Sequence, residues 1–102
     1  MAKRAEQLEP IPPGEILLEE FMKPLGISRN MLARDLDMPV SRVSEIVRGM
    51  RGITADTALR LAAYFGTSAE MWMNLQSAFD LRLARQKIGP EVRSRVRPRR
   101  AA

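Results

Sequence analysis

Apolar positions along this chain recur at helical spacing in five blocks, which predicts an all-α fold of five helices. The first block holds Leu17, Leu18, Phe21, Met22 and Leu25. Pro13 suits its first position, Glu15 suits the positive end of its dipole, and Pro24 with Gly26 closes it. The second carries Met31, Leu32 and Leu36, with the small Ala33 where a crossing helix needs room, and Ser28 is placed to cap it. In the third, Val43, Ile46 and Val47 follow a second start signal at Ser41, and Gly49 can take a left-handed C-cap. The fourth, capped by Thr54 and stopped by Gly66, has Ala58, Leu61, Ala62 and Phe65 at i, i+3, i+4 and i+7.

The fifth block is the longest, running from Thr67-Ser68-Ala69-Glu70, which reads as a capping box between Thr67 and Glu70, to roughly Gln86. Met71, Trp72, Leu75, Ala78, Phe79 and Leu83 share one arc, whereas Met73 and Leu81 fall outside it. A helix apolar on more than one side predicts a partner helix, so Met73 and Leu81 are the candidate interface of a twofold dimer. Gly89-Pro90 is expected to end the folded part. The organisation expected is a flexible N-terminal arm over residues 1–12, a helical domain over 13–89, and a basic, disordered tail over 90–102.

The second and third blocks are joined by a tight corner, Asp37-Met38-Pro39-Val40. Pro39 fixes its own φ and drives Met38 from helical geometry, so the second helix must stop at about Asp37. Two short helices around such a corner form a helix-turn-helix. The outward face of its second helix carries Ser41, Arg42, Ser44, Glu45 and Arg48. These residue types suit the major groove: Arg pairs with guanine O6 and N7, Ser donates or accepts, and Glu accepts from cytosine N4. Phosphate contacts are expected from Ser28, Arg29 and Asn30 at the start of the first helix of the pair, and from Arg51 in the loop after the second. Gly52 leaves that loop open to close backbone approach.

Runs from Pro13 to about Arg85, among them EIVRG, RGIT-DTALRLA and W-NLQ---D, give the chain its family likeness. It resembles the HigA/VapI branch of the XRE-type, lambda-repressor-like DNA-binding proteins. The resemblance implies a five-helix domain with helices 2 and 3 as the DNA reader. It also implies an antitoxin of a type II toxin–antitoxin module, which neutralises a HigB-like, RelE-superfamily mRNA-cleaving toxin and represses its own operon. Two positions depart from the branch: Asp37 stands where Gly is usual, and Ser41 where Arg is common. Asp tolerates the left-handed conformation better than most residues, so the turn is expected to survive. The residues themselves leave two further readings open, a stand-alone repressor without a toxin and a protein–protein adaptor.

Composition narrows the chemistry. The 102 residues contain no Cys and no His, so thiolate zinc sites, Ser-His-Asp and Cys-His systems and histidine metal sites are excluded. No P-loop spacing appears, and no cofactor or enzymatic activity is expected. The polar start lacks an apolar signal segment and no run is long enough to span a membrane, so a cytoplasmic protein is expected. The net charge is +5, of which residues 91–102 supply +4, so the first ninety residues hold only +1. Arg29, Arg34, Arg42, Arg48 and Arg51 nevertheless cluster in and around the reader, and an inverted-repeat operator bound by a homodimer is the expected target.

Overall fold

In the computed structural model, which describes residues 9–100, five helices and no strand appear among those residues. Helix α1 covers residues 13–25 as one rod in three registers: an α turn at Pro13–Ile16, a π-helical stretch at Leu17–Met22 and a last α turn at Lys23–Leu25. Helix α2 is Arg29–Leu36, α3 is Val40–Val47, α4 is Ala55–Phe65 and α5 is Ala69–Arg95.

The helix ends are closed by backbone geometry written into single residues. Gly26, Asp37 and Gly49 are left-handed, with φ of 65°, 57° and 77°. In each case the next amide reaches back five residues: Ile27 to the Met22 carbonyl at 2.9 Å, Met38 to Ala33 at 2.9 Å and Met50 to Glu45 at 2.8 Å. This doubly bonded helix stop satisfies carbonyls that would otherwise be orphaned. Asp37 is the one non-glycine residue with positive φ among those described, so the corner survives there as expected.

The core gathers Leu17 and Met22 of α1, Leu32, Ala33 and Leu36 of α2, Val43, Ile46 and Val47 of α3, Ala58 and Leu61 of α4, and Trp72 of α5. Trp72 is fully buried, and its indole N–H donates to Thr67 Oγ1 at 2.8 Å, so burial leaves no polar atom unsatisfied. Phe21 and Phe65 pack on it, with ring centroids 4.9 and 6.4 Å from the indole. This cluster fastens α1, α4 and α5 together.

One approach is closer than side-chain packing allows. A Cβ added at Gly14 would overlap the carbonyl oxygen of Ile46 outright and crowd Val47 Cα. The first turn of α1 therefore lies backbone to backbone on α3, a contact open only to glycine.

Several expectations are corrected. Leu25 is 63% exposed rather than part of the α1 stripe. The π stretch shifts the register, so that the buried residues of this segment are Leu17 and Met22, five apart, while Leu18 and Phe21 are half-buried. Thr67 and Glu70 form no capping box. Ser68 caps α5, its Oγ accepting from the Met71 amide at 3.0 Å, and Thr67 is committed to Trp72. Helix α5 also does not stop near Gln86. It runs 27 residues, through Gly89 and Pro90, to Arg95. Pro90 removes one amide bond, but nothing packs against this stretch, so its ring displaces no tertiary contact. Contact with the core fades earlier, after half-buried Leu83. The flexible arm expected over residues 1–12 lies outside the described residues up to residue 8, and residues 9–12 lead into α1 in irregular conformation.

Gly14→Ala is expected to destabilise the protein by about 1–3 kcal/mol or more, the usual cost of overpacking. A urea titration followed by Trp72 fluorescence measures it, and an unchanged midpoint would disprove the backbone contact.

Candidate nucleic-acid interface

The interface is built from the bottom of the helix pair. Ser28 Oγ accepts the Met31 amide at 3.1 Å and starts α2, leaving the exposed Arg29 and Asn30 in its first turn. The other end of α2 is held from outside. Arg60 of α4 donates through Nη1 to the carbonyls of Leu36 at 2.8 Å and Asp37 at 3.1 Å, and through Nε to Asp56 at 2.6 Å. A cation at a helix C-terminus complements the dipole and satisfies the last carbonyls. Asp56 raises the Arg60 pKa through that hydrogen bond and its charge. One turn on, the Tyr64 hydroxyl donates to Asp35 at 2.9 Å, and the bond to this carboxylate raises the tyrosine pKa. Helix α4 thus clamps the corner on which the reader turns.

Helix α3 is seated by Val43, Ile46 and Val47, which are buried beneath it. Its opposite side carries exposed Val40, Ser41, Arg42 and Arg48, and half-buried Ser44 and Glu45. The start differs from expectation: Pro39 is the N-cap and Val40 the first helical residue, with no side-chain cap. Ser41 is therefore not the cap, because proline geometry already sets the entry. Its hydroxyl makes no hydrogen bond among the described residues and is left for another partner. Arg29, Arg42 and Arg48 make no ion pair among the described residues, so their guanidinium donors are uncommitted.

The loop after α3 is fastened at both sides. Pro12 packs on Gly49, and the Ile53 amide donates to Gln76 Oε1 of α5 at 2.6 Å. Gln76 in turn donates to Asp80 at 3.0 Å, which fixes the orientation of its amide. Within this frame Arg51 Nε donates to Glu45 Oε1 at 2.8 Å, joining two residues assigned different roles from the sequence. The pair sits half in solvent, and four of the five guanidinium donors of Arg51 remain outside it.

The structure thus brings Ser41, Arg42, Ser44 and Glu45 onto one short helix with Arg48 at its C-cap, Arg51 in the loop that follows, and Ser28, Arg29 and Asn30 at the start of the adjoining helix. Met73 and Leu81 lie apart, 37% and 50% exposed on α5. Sequence reasoning missed Arg60, Tyr64 and Gln76, whose partners lie 23 to 29 residues away. It also missed Val40, although Pro39 at an N-cap makes the next residue the first of the helix.

The sequence pattern of the Helix-turn-helix family matches residues 18–72, from mid-α1 to Trp72. Virulence-associated protein I of Dichelobacter nodosus is 55% identical over 80 residues, 78% of this chain and 74% of that protein. The chain belongs to the HigA/VapI branch of the XRE-type helix-turn-helix proteins. The fold agrees: an addiction module antidote protein of the HigA family from Coxiella burnetii has a TM-score of 0.85 at 49% identity, covering 90% of this chain and all of the other. Antitoxin HigA of Pseudomonas aeruginosa, solved with the higBA promoter, has a TM-score of 0.85 at 47% identity, covering 87% and 97%. Within this HigA-like fold, Arg60 and Tyr64 hold the corner and α3 supplies the outward face.

Arg60→Ala is expected to lower the denaturation midpoint more than Arg29→Ala, since only the former strips two helix-end carbonyls of a partner. The Tyr64–Asp35 bond has a pH signature. A folded-state pKa raised above the ordinary value of 10.0 means its stabilisation is complete below that pH and is lost as pH rises through the raised pKa. Thermal melts of Tyr64→Phe should lack this alkaline loss, and an identical alkaline profile would dismiss the bond.

Proposed function

We propose that this chain is a sequence-specific, double-stranded DNA-binding antitoxin of a type II toxin–antitoxin module, neutralising a HigB-like, mRNA-cleaving toxin and repressing its own operon as a dimer. The observation that carries the reading is the outward face of α3: uncommitted Arg42 and Arg48 and the free hydroxyl of Ser41, on a helix whose other side is locked into the core. The promoter-bound HigA of Pseudomonas aeruginosa supports it, at 47% identity over nearly its whole length.

In this reading Arg42, Arg48, Ser41 and Ser44 address base edges, and Val40 offers an apolar contact to a thymine methyl. Ser28, Arg29, Asn30 and Arg51 hold phosphates, Ser28 by its hydroxyl proton since its oxygen already caps α2. Glu45 positions Arg51 and keeps a carboxylate beside the groove, where it accepts from cytosine N4 or repels a misplaced phosphate. The work is recognition and not catalysis, and its place is the cytoplasm, where the operon is. Among the described residues no helix is long and apolar enough to cross a membrane. Met73 and Leu81 pair two copies so that their α3 helices meet successive turns of an inverted repeat, about 34 Å apart.

Titration of a labelled duplex carrying the region upstream of the chain's own coding sequence tests the reading, against an unrelated duplex of equal length; equal affinity for both would sink it. Arg42→Ala is expected to cost about 1–3 kcal/mol and relax selectivity at one base position. Arg51→Ala should weaken binding on all sequences and reduce the salt slope by about one. Leu81→Asp combined with Met73→Asp should shift sedimentation to a monomer and weaken operator binding, and an unchanged dimer would move the interface elsewhere. A toxin should co-purify with the tagged chain from its native host.

A further inference from the structure

The excess positive charge of this chain sits outside its proposed reader. Eight of the 17 basic residues fall between Arg82 and Arg100, where Glu91 is the one acid. That segment carries +7 of formal charge, so the rest of the chain, reader included, is net −2 within a total of +5. A domain of that sign is not drawn to a polyanion by its overall field.

The geometry keeps this charge available. From residue 84 to residue 100 every residue is exposed except half-buried Gly89. Helix α5 continues about 18 Å beyond Leu83 to Arg95, and Val96 then turns the chain extended, with φ −82° and ψ 130°. Arg95 meets Glu91 at 3.5 Å, while Arg93, Arg97, Arg99 and Arg100 make no ion pair among the described residues. The helix leaves the domain from the flank of the reader. Gln76 holds the Ile53 amide, and Asp80 shares a recess with Arg51 and Gly52.

The pattern also discriminates between partners. Leu81, Ile88 and Val92 fall on one line along α5 and are about half exposed. At about 100° per residue, Arg85 and Arg95 lie within about 40° of that line, so no continuous apolar stripe exists for a groove or a lipid surface. The pairing of two copies at Met73 and Leu81 stops short of this stretch, along which a second copy would bring another +7 beside the first. At that helical spacing Arg82, Arg85, Arg93 and Arg95 share an arc of about 160° on the exposed rod, and with the arginines of the extended end they suit closely spaced phosphates.

We propose that residues 82–100 are a second, sequence-independent grip on duplex DNA, placing Arg93, Arg95, Arg97, Arg99 and Arg100 on phosphates flanking the bases that α3 reads. The proposal rests on the DNA-binding reading above and adds a division of labour. The folded domain selects the site, and the extension supplies the long-range attraction and most of the salt dependence.

The test uses the full-length chain with Arg93→Gln, Arg95→Gln, Arg97→Gln, Arg99→Gln and Arg100→Gln combined. These side chains touch no core residue, so the fold is retained, which circular dichroism and the melting temperature verify. Wild type and variant are titrated with labelled upstream duplex and with a scrambled duplex at several salt concentrations. The variant should lose at least about tenfold in affinity on both duplexes near 0.1 M salt, with a log–log salt slope shallower by about 0.9 per contact removed. The ratio between the two duplexes should stay as in wild type. An unchanged slope and affinity would overturn the proposal and point to an acidic protein surface as the partner of the extension. A changed ratio at constant slope would overturn its sequence independence. Should wild type show no preference for either duplex, the reader assignment fails, whereas a shallower slope in the variant still upholds the phosphate grip.

Discussion

The contact between Gly14 and the Ile46 carbonyl is the constraint on which the architecture depends. It brings the first turn of α1 against α3 with no side chain between them, so the depth and tilt of α3 are set by backbone, which does not adjust as a rotamer does. The π stretch that follows is consistent with that demand. By turning Leu17 and Met22 into the core five residues apart, α1 meets the remaining helices while its first turn stays on α3. The cluster of Phe21, Phe65 and Trp72 anchors the far side of the same rod. A helix held on one side by backbone contact and buried aliphatics has only its other side to offer a ligand. That side carries Arg42, Ser41 and Arg48.

A second set of contacts fixes the angle between α2 and α3. Arg60 gathers the last carbonyls of α2 while Asp56 holds its guanidinium, and Tyr64 ties Asp35 to the same helix. Each bond alone is modest in water, but together they attach a corner made left-handed by a non-glycine residue to the rigid face of α4. On the opposite flank Gln76 does the equivalent for the loop that carries Arg51. The outward face of α3 is thus exposed while its supports lie one layer behind it, an arrangement that preorganises polar tips without burying them.

Electrostatics is distributed unevenly over this frame. The domain proper has slightly more acid than base, Arg51 is partly neutralised by Glu45, and the excess positive charge is carried on the extension of α5. In the proposed division of labour, a domain of low net charge discriminates between sites while the extension provides attraction that salt can tune.

Much of this was legible in the sequence because it depends on short-range physics. The caps at Ser28 and Thr54 and the helix stops at Gly26, Asp37, Gly49 and Gly66 each concern residues within one turn of one another, and all appear where the spacing places them; the apolar periodicity holds in α3, whereas in α1 Leu25 is exposed. The polar outward face of α3 was equally plain. Where local signals competed, the sequence misled: Ser41 is a good cap but Pro39 already sets the entry, and Pro90 reads as a stop although nothing packs nearby to enforce one. Only the tertiary structure decided the π register of α1, the contact of Gly14 with Ile46, and the reach of Arg60, Tyr64 and Gln76 across more than twenty residues. Those depend on which surfaces meet, and periodicity records that a face is apolar without recording what will cover it.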